Sequence, residues 1–248
     1  MNGSLDQLIE MSRQLGDPAL DLVILGEGNT STRADAATFW VKGSGTQLIQ
    51  ADQGSFVRVK FEPILAALNR HSMNDKDVAD LLKSSTVEGT RTPSIETFLH
   101  AQCLELPGVH FVGHTHPTVA VGLLSCLKSR ELFAGPLFPD QIVLTGASCA
   151  YVPYTDPGLP LAKSVQRELR QFTHLHHRVP RVLLMENHGV IALGATAQEV
   201  LNITNMLVKS CRVLALTLAG GGPRFLAPDQ IDRIDKRPDE LARRADMK

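Results

Sequence analysis

The stretch from 182 to 194 constrains the chain most. Val182 to Met185 and Val190 to Leu193 are apolar runs of strand length, separated only by Glu186-Asn187-His188-Gly189. So short a connection has no room for a crossover helix, so the two strands must return on each other as an antiparallel hairpin. Around this hairpin helical and strand patterns alternate. Leu5, Leu8, Ile9 and Leu15 recur at helical spacing, and Thr38 to Lys42 and Val109 to Thr115 read as strands. Helices are expected over Pro63 to Asn69, from Thr92-Pro93 to Leu106, over Thr118 to Leu127 and over Leu161 to Phe172, with a further strand at Gln141 to Thr145. Thr196-x-x-Glu199 is a capping box, followed by a long helix whose apolar face runs from Val200 to Leu218. The charged tail, Asp229 to Lys248, is expected to form short helices or frayed chain. Together these predict an α/β chain with a mixed or antiparallel sheet covered by helices, as one domain over residues 1–248.

With 25 basic and 26 acidic side chains in 248 residues, the chain lacks the electrostatic footprint of a nucleic-acid binder or an acidic-membrane binder. Neither a charge-free apolar stretch of ~20 residues nor a secretory pattern at Met1 to Gly16 is found, so an intracellular, cytoplasmic protein is expected. The four cysteines lie among apolar neighbours without metal or disulfide spacing and read as core thiols.

The unusual count is nine histidines. Within the strand Val109 to Thr115, His114 and the next-but-one His116 project to the same face. His188, at the hairpin apex, is placed to point into a cleft. Three imidazoles with an open position suit a catalytic divalent metal. Glu96, isolated among small and apolar residues, is either a carboxylate complementing a helix N-terminus or a general base or displaceable metal ligand. His100, one turn later, is expected to pair with Glu96, His110 to be buried, and His174, His176 and His177 to cap a helix end. Gly28-Asn29-Thr30-Ser31 and Gly43-Ser44-Gly45-Thr46 are loops able to wrap a phosphate with backbone N–H groups and hydroxyls. Neither is a Walker or dinucleotide fingerprint.

The order of these pieces resembles the class II aldolase/adducin family. They are Gly28-Asn29-Thr30-Ser31, Lys42-Gly43-Ser44-Gly45, Ser94-Ile95-Glu96, His114-Thr115-His116-Pro117 and Asn187-His188-Gly189. The family includes fuculose- and rhamnulose-phosphate aldolases, ribulose-phosphate 4-epimerase and sugar-acid phosphate decarboxylases. The chain is especially similar to the aldolase part of bifunctional rhamnulose-phosphate aldolase/dehydrogenase proteins.

The resemblance implies a three-layer α/β/α fold around a largely antiparallel sheet, in a homotetramer with active sites between subunits. It implies that His114, His116 and His188 bind a divalent metal, typically zinc, and that Glu96 is the catalytic acid/base, with its pKa raised by apolar surroundings. Asn29, Ser44, Gly45 and Ser94 would hold a substrate phosphate. The reaction implied is reversible aldol cleavage of a phosphorylated ketose to dihydroxyacetone phosphate and an aldehyde, through a metal-stabilised enediolate. Two departures keep other outcomes open. Ile95 stands where the fuculose-phosphate enzymes have a second Ser, although Lys42 can restore positive charge. The stretch Ser125 to Pro139 lacks the Tyr that the family's aldolases use as proton donor. The alternatives are decarboxylation or epimerisation on the same metal site, or a non-catalytic adducin-like interaction module.

Overall fold

The computed structural model describes residues 3–246. Met247 and Lys248, the end of the charged tail, lie outside the described residues. In chain order the first half comprises α1 (Ser4–Leu15), β1 (Asn29–Arg33), β2 (Thr38–Lys42), β3 (Phe56–Lys60), α2 (Phe61–Ala67), α3 (Asp75–Ser85), β4 (Thr86–Glu88) and α4 (Thr97–Leu104). There follow β5 (Phe111–Thr115), α5 (Thr118–Leu124), α6 (Ser129–Leu132), α7 (Pro139–Thr145), β6 (Ala150–Val152) and α8 (Leu159–His176). The chain continues through β7 (Val182–Met185), β8 (Gly189–Gly194), α9 (Ala197–Ala219), α10 (Pro228–Lys236) and α11 (Pro238–Asp246).

The strands form one sheet in the order β4-β3-β2-β1-β5-β8-β7-β6. Among the described residues only the β6–β7 pair is parallel; the expected hairpin is β7–β8, with Leu184 opposite Val190. Successive strand residues point to opposite faces, so each face grows its own core. Val112, Leu183, Met185 and Ile191 pack with Phe98, Leu99 and Val165 of α4 and α8. Phe111, Leu184, Val190 and Ala192 pack with Leu8, Leu15, Val200 and Ile203 of α1 and α9. Each large apolar side chain so buried contributes about 1.5–3 kcal/mol. The α/β/α layering is therefore as expected.

Several boundaries differ. The segment expected as a loop from Gly26 becomes strand β1 at Asn29, because its short polar side chains all find partners inside the molecule. Thr30 Oγ1 meets Ser12 Oγ of α1 at 2.6 Å, and Thr32 Oγ1 donates to the His110 carbonyl at 2.9 Å. The helix expected from Thr92-Pro93 starts at Thr97. Thr92 and Pro93 instead lie extended against the Gly43 loop, with Ser44 N–H donating to the Thr92 carbonyl at 2.9 Å. Gln141 to Thr145 is helical, not extended: Pro139 opens α7 at a first-turn position, and three apolar residues carry no periodicity to reveal it. The strands β3, β4 and β6 and helix α3 were not anticipated. Cys103 and Cys211 are buried as expected, but Cys126 is exposed. His110 is exposed as well, at the entrance to β5.

Gly113 in β5 marks the tightest approach between the sheet and its helices. A Cβ there would lie 2.7 Å from Val200 Cγ1 and 3.1 Å from Leu15 Cδ1. Gly113→Ala should therefore lower stability by ~1–3 kcal/mol through overpacking. Denaturant unfolding checks this, and an unchanged midpoint would contradict the packing described.

Candidate active site

Three elements deliver the histidines to one place. His114 lies in β5 on the face of Val112, and His116 lies just beyond the strand end. His188 stands in the β7–β8 turn, where Asn187 takes a left-handed φ of 52° and His188 N–H closes onto the Met185 carbonyl at 3.2 Å. Gly189 lets the turn sit this close. A Cβ on it would fall 2.5 Å from His116 Cδ2 and 2.7 Å from the Thr115 carbonyl oxygen. The three imidazoles consequently stack edge to face, with ring centroids 4.6 to 5.1 Å apart.

One ligand atom from each ring lies within 4.8 Å of the others, a spacing that can hold a metal ion. The Nε2 atoms of His114 and His116 face each other at 2.9 Å. His114 Nδ1 is 2.9 Å from the Val190 carbonyl oxygen. Assigning the proton to Nδ1 satisfies that bond and leaves Nε2 with its lone pair toward the cluster. Burial pushes the His114 pKa down, and pushes that of His116 down to about 3. Neutral imidazole is the ligating form, so this donor set fits a divalent cation.

Glu96 occupies the residue before the first turn of α4 and faces the same point. Its Oε1 is 3.1 Å from His188 Nε2 and its Oε2 is 3.3 Å from His114 Nε2. Asn29 Nδ2 donates to Oε2 at 2.7 Å. Burial alone would raise the carboxyl pKa, but the His114 and His188 imidazoles and the Asn29 amide outweigh it and hold the pKa well below the usual carboxylate range. The expectation of a raised value is corrected here: the polar groups facing Glu96 overcome its apolar surroundings.

His100 does not pair with Glu96 directly; it acts through Asn29. Ser31 Oγ lies 2.6 Å from His100 Nδ1, and His100 Nε2 hydrogen-bonds Asn29 Oδ1. Ser31 donating to Nδ1 and Nε2–H donating to Asn29 is the assignment that turns the amide N–H toward Glu96. Burial pushes the His100 pKa down to about 3, so the ring is a neutral link. Sequence reasoning missed this role, although the i, i+4 spacing of Glu96 and His100 does place both on one face of α4.

Asn29, Ser44, Gly45 and Ser94 come from two loops and β1. Ser94 Oγ accepts from Asn29 Nδ2 at 3.4 Å and from Glu96 N–H at 3.3 Å, while Ser94 N–H donates to the Lys42 carbonyl at 3.2 Å. Ser44 Oγ donates to the Pro93 carbonyl at 3.4 Å, and Gly45 takes a φ of 78° with open space beside it. Lys42 is only 4% exposed, and its Nζ has one long bond, 3.5 Å to the Gly26 carbonyl. Burial lowers its pKa while Glu96 opposes the shift. An ammonium so buried retains donors for an anion. Ile95 is 45% exposed near Gly158. The Tyr151 hydroxyl is held by Ser129 and the Tyr154 hydroxyl by Asp156, so neither bonds the cluster.

Among the described residues no helix is long and apolar enough to cross a membrane. The sequence is 30% identical over 182 residues to an uncharacterized oxidoreductase, YuxG, of Bacillus subtilis, covering 70% of this chain and 24% of that protein. The chain thus spans about a quarter of the length of that curated relative. Among solved structures, an N-terminal class II aldolase domain of a conserved protein from Thermoplasma acidophilum superposes with a TM-score of 0.70 at 27% identity, over 87% of this chain and 95% of that one. An L-fuculose 1-phosphate aldolase superposes with a TM-score of 0.68 at 19% identity, over 94% of each chain. Residues 6–215 match the family described as Class II Aldolase and Adducin N-terminal domain, and the chain belongs to that family.

Proposed function

We propose that this chain is a divalent-metal-dependent lyase that reversibly cleaves a phosphorylated ketose into dihydroxyacetone phosphate and an aldehyde. The observation that carries the reading is the convergence of three imidazole nitrogens and the Glu96 carboxylate on one point. His114, His116 and His188 would hold the metal, which when bound supplies Lewis-acid stabilisation of the oxyanion next to the breaking carbon–carbon bond. Zinc suits three imidazoles with an open position. Glu96 takes the proton from, and returns it to, the carbon beside the carbonyl. Its ionised state and the Asn29 amide, which orients it, suit the accepting step.

Asn29, Ser44, Gly45 and Ser94 hold the phosphate, and the Lys42 ammonium supplies the charge that Ile95 cannot. Hydrogen bonds to a charged group contribute about 1.5–3 kcal/mol each, enough to anchor that end of the ketose. The aldehyde-side proton donor is not among the described residues meeting at the cluster. This supports a homotetramer with sites completed by a neighbouring subunit. The exposed Ile24 and Leu25, near the cluster, support the same assembly.

The missing tyrosine and Ile95 also favour a second reading, decarboxylation or epimerisation of a sugar or sugar-acid phosphate by the same residues. Product analysis separates the readings: free aldehyde and triose phosphate support cleavage, whereas carbon dioxide or an epimer replaces it.

Two measurements test the roles assigned. Glu96→Gln should lower kcat by ~10²–10⁴-fold with an unchanged metal content; unaltered turnover would remove Glu96 from the chemistry. His188→Ala should weaken metal binding by more than the ~10–100-fold that loss of an outer-shell partner costs. Competition against a chelator reads this, and full activity in metal-free protein overturns the metal-dependent reading.

A further inference from the structure

A groove of ≈650 Å³ runs along α8 and is walled on its other side by the C-terminal ends of α2 and α4. Leu65, Leu68, Leu106 and Leu169 form its apolar surface. None of its lining belongs to the histidine cluster or to Asn29, Ser44, Gly45 and Ser94. It lies at the far end of α4 from Glu96, which precedes that helix's first turn. We propose that this groove is a ligand site separate from the metal centre, taking a small carboxylic acid that has an apolar body and a hydroxyl donor.

Gln102 is an acceptor without a donor. It lines the groove and is only 7% exposed. Its Nε2 donates to the Phe98 carbonyl at 3.2 Å and to the Ala162 carbonyl at 3.0 Å. Both N–H groups are therefore used, and turning the amide round would set its oxygen against two carbonyls. Oε1, on the other side of the amide, is buried with no hydrogen-bond partner. An unpaired buried acceptor is a standing penalty, which a hydroxyl brought by an occupant removes.

The sign of the charge follows from α8. Gln166, Leu169, Arg170, Thr173 and His174 recur at i, i+3, i+4, i+7 and i+8, so one stripe of the helix faces the groove for two turns. Among the described residues Arg170 has no ion pair. Glu105, the carboxylate of the opposite wall, is already paired with Arg33 at 2.5 Å. The unspent charge is thus positive, and protonation of His174 only adds to it. A guanidinium presents two parallel donors that match a carboxylate. Apolar walls with a few convergent polar groups, in a volume within the ~300–1,000 Å³ of small-molecule sites, suit an occupant of this kind.

Calorimetric binding to the full chain, with and without metal, tests this using para-hydroxyphenylacetate, phenylacetate and para-hydroxyphenylethanol. The hydroxy acid should bind about tenfold more tightly than phenylacetate, which lacks the donor. It should bind roughly three- to tenfold more tightly than the alcohol, which lacks the charge. Removing the metal should leave both ratios unchanged, and neither depends on turnover. Arg170→Gln should erase the advantage over the alcohol. Gln102→Met should erase the advantage over phenylacetate while Kd for phenylacetate itself stays the same. Arg170 is exposed, so R170Q keeps the fold, and it decides the matter with the three ligands even if Q102M does not fold. Equal affinity for the three ligands, an unaltered preference in R170Q, or binding that requires metal overturns the proposal. A changed oligomeric state of R170Q in light scattering overturns it too, since a second copy of the chain would then occupy the groove.

Discussion

The pairing of Asn29 with His114 across β1 and β5 is the joint on which the site depends. It sets the amide of one strand beside the imidazole of the next, on the face covered by α4. Glu96, at the start of that helix, then meets both side chains at once: Asn29 Nδ2 at 2.7 Å and His114 Nε2 at 3.3 Å. A one-residue slip of β1 against β5 would turn Asn29 to the face opposite His114 and dismantle the cluster. The sheet is central to the chemistry because it fixes that register. Ser31 and His100 extend the joint one step further, holding the amide the right way round.

Such a site works against burial, and the chain limits the penalty locally. Leaving a buried donor or acceptor unpaired costs about 1–3 kcal/mol. The polar strand β1 avoids that penalty: Asn29, Thr30, Ser31 and Thr32 all have partners in neighbouring elements. Lys42, in β2, is less well served, buried with one long hydrogen bond and offset at a distance by Glu96. A chain of near-neutral net charge offers an anion no broad attraction. Any affinity for a phosphate ester must therefore arise at a local site, which we propose to be Lys42 and the small-residue loops around it.

The parts that were legible in the sequence are those encoded by local pattern. The hairpin around Asn187-His188-Gly189, the Thr196 cap of α9 and the shared face of His114 and His116 each follow from spacing alone. Other features depend on partners remote in sequence. β1 reads as a loop because Asn29 to Arg33 lacks apolar residues; its pairing with β2 and β5, and partners such as Ser12, His100, His110 and Glu96 from other segments, make it a strand. α7 reads as a strand because Ile142 to Leu144 is too short to show a period. Glu96 was found by its isolation among apolar neighbours, yet the direction of its pKa shift depends on His188 and Asn29, which are distant in sequence. His100 was visible as a histidine on the helix of Glu96, but its route through Asn29 was not, since that route exists only once β1 lies against α4.

The central claim is that His114, His116 and His188 hold one divalent metal in a position that Glu96 faces. Anomalous diffraction at the zinc edge, on crystals grown from zinc-loaded protein, tests it most directly. The account predicts a single strong peak about 2.0–2.1 Å from one ring nitrogen of each histidine. Zinc bound elsewhere, or no ordered peak between the three rings, would contradict it.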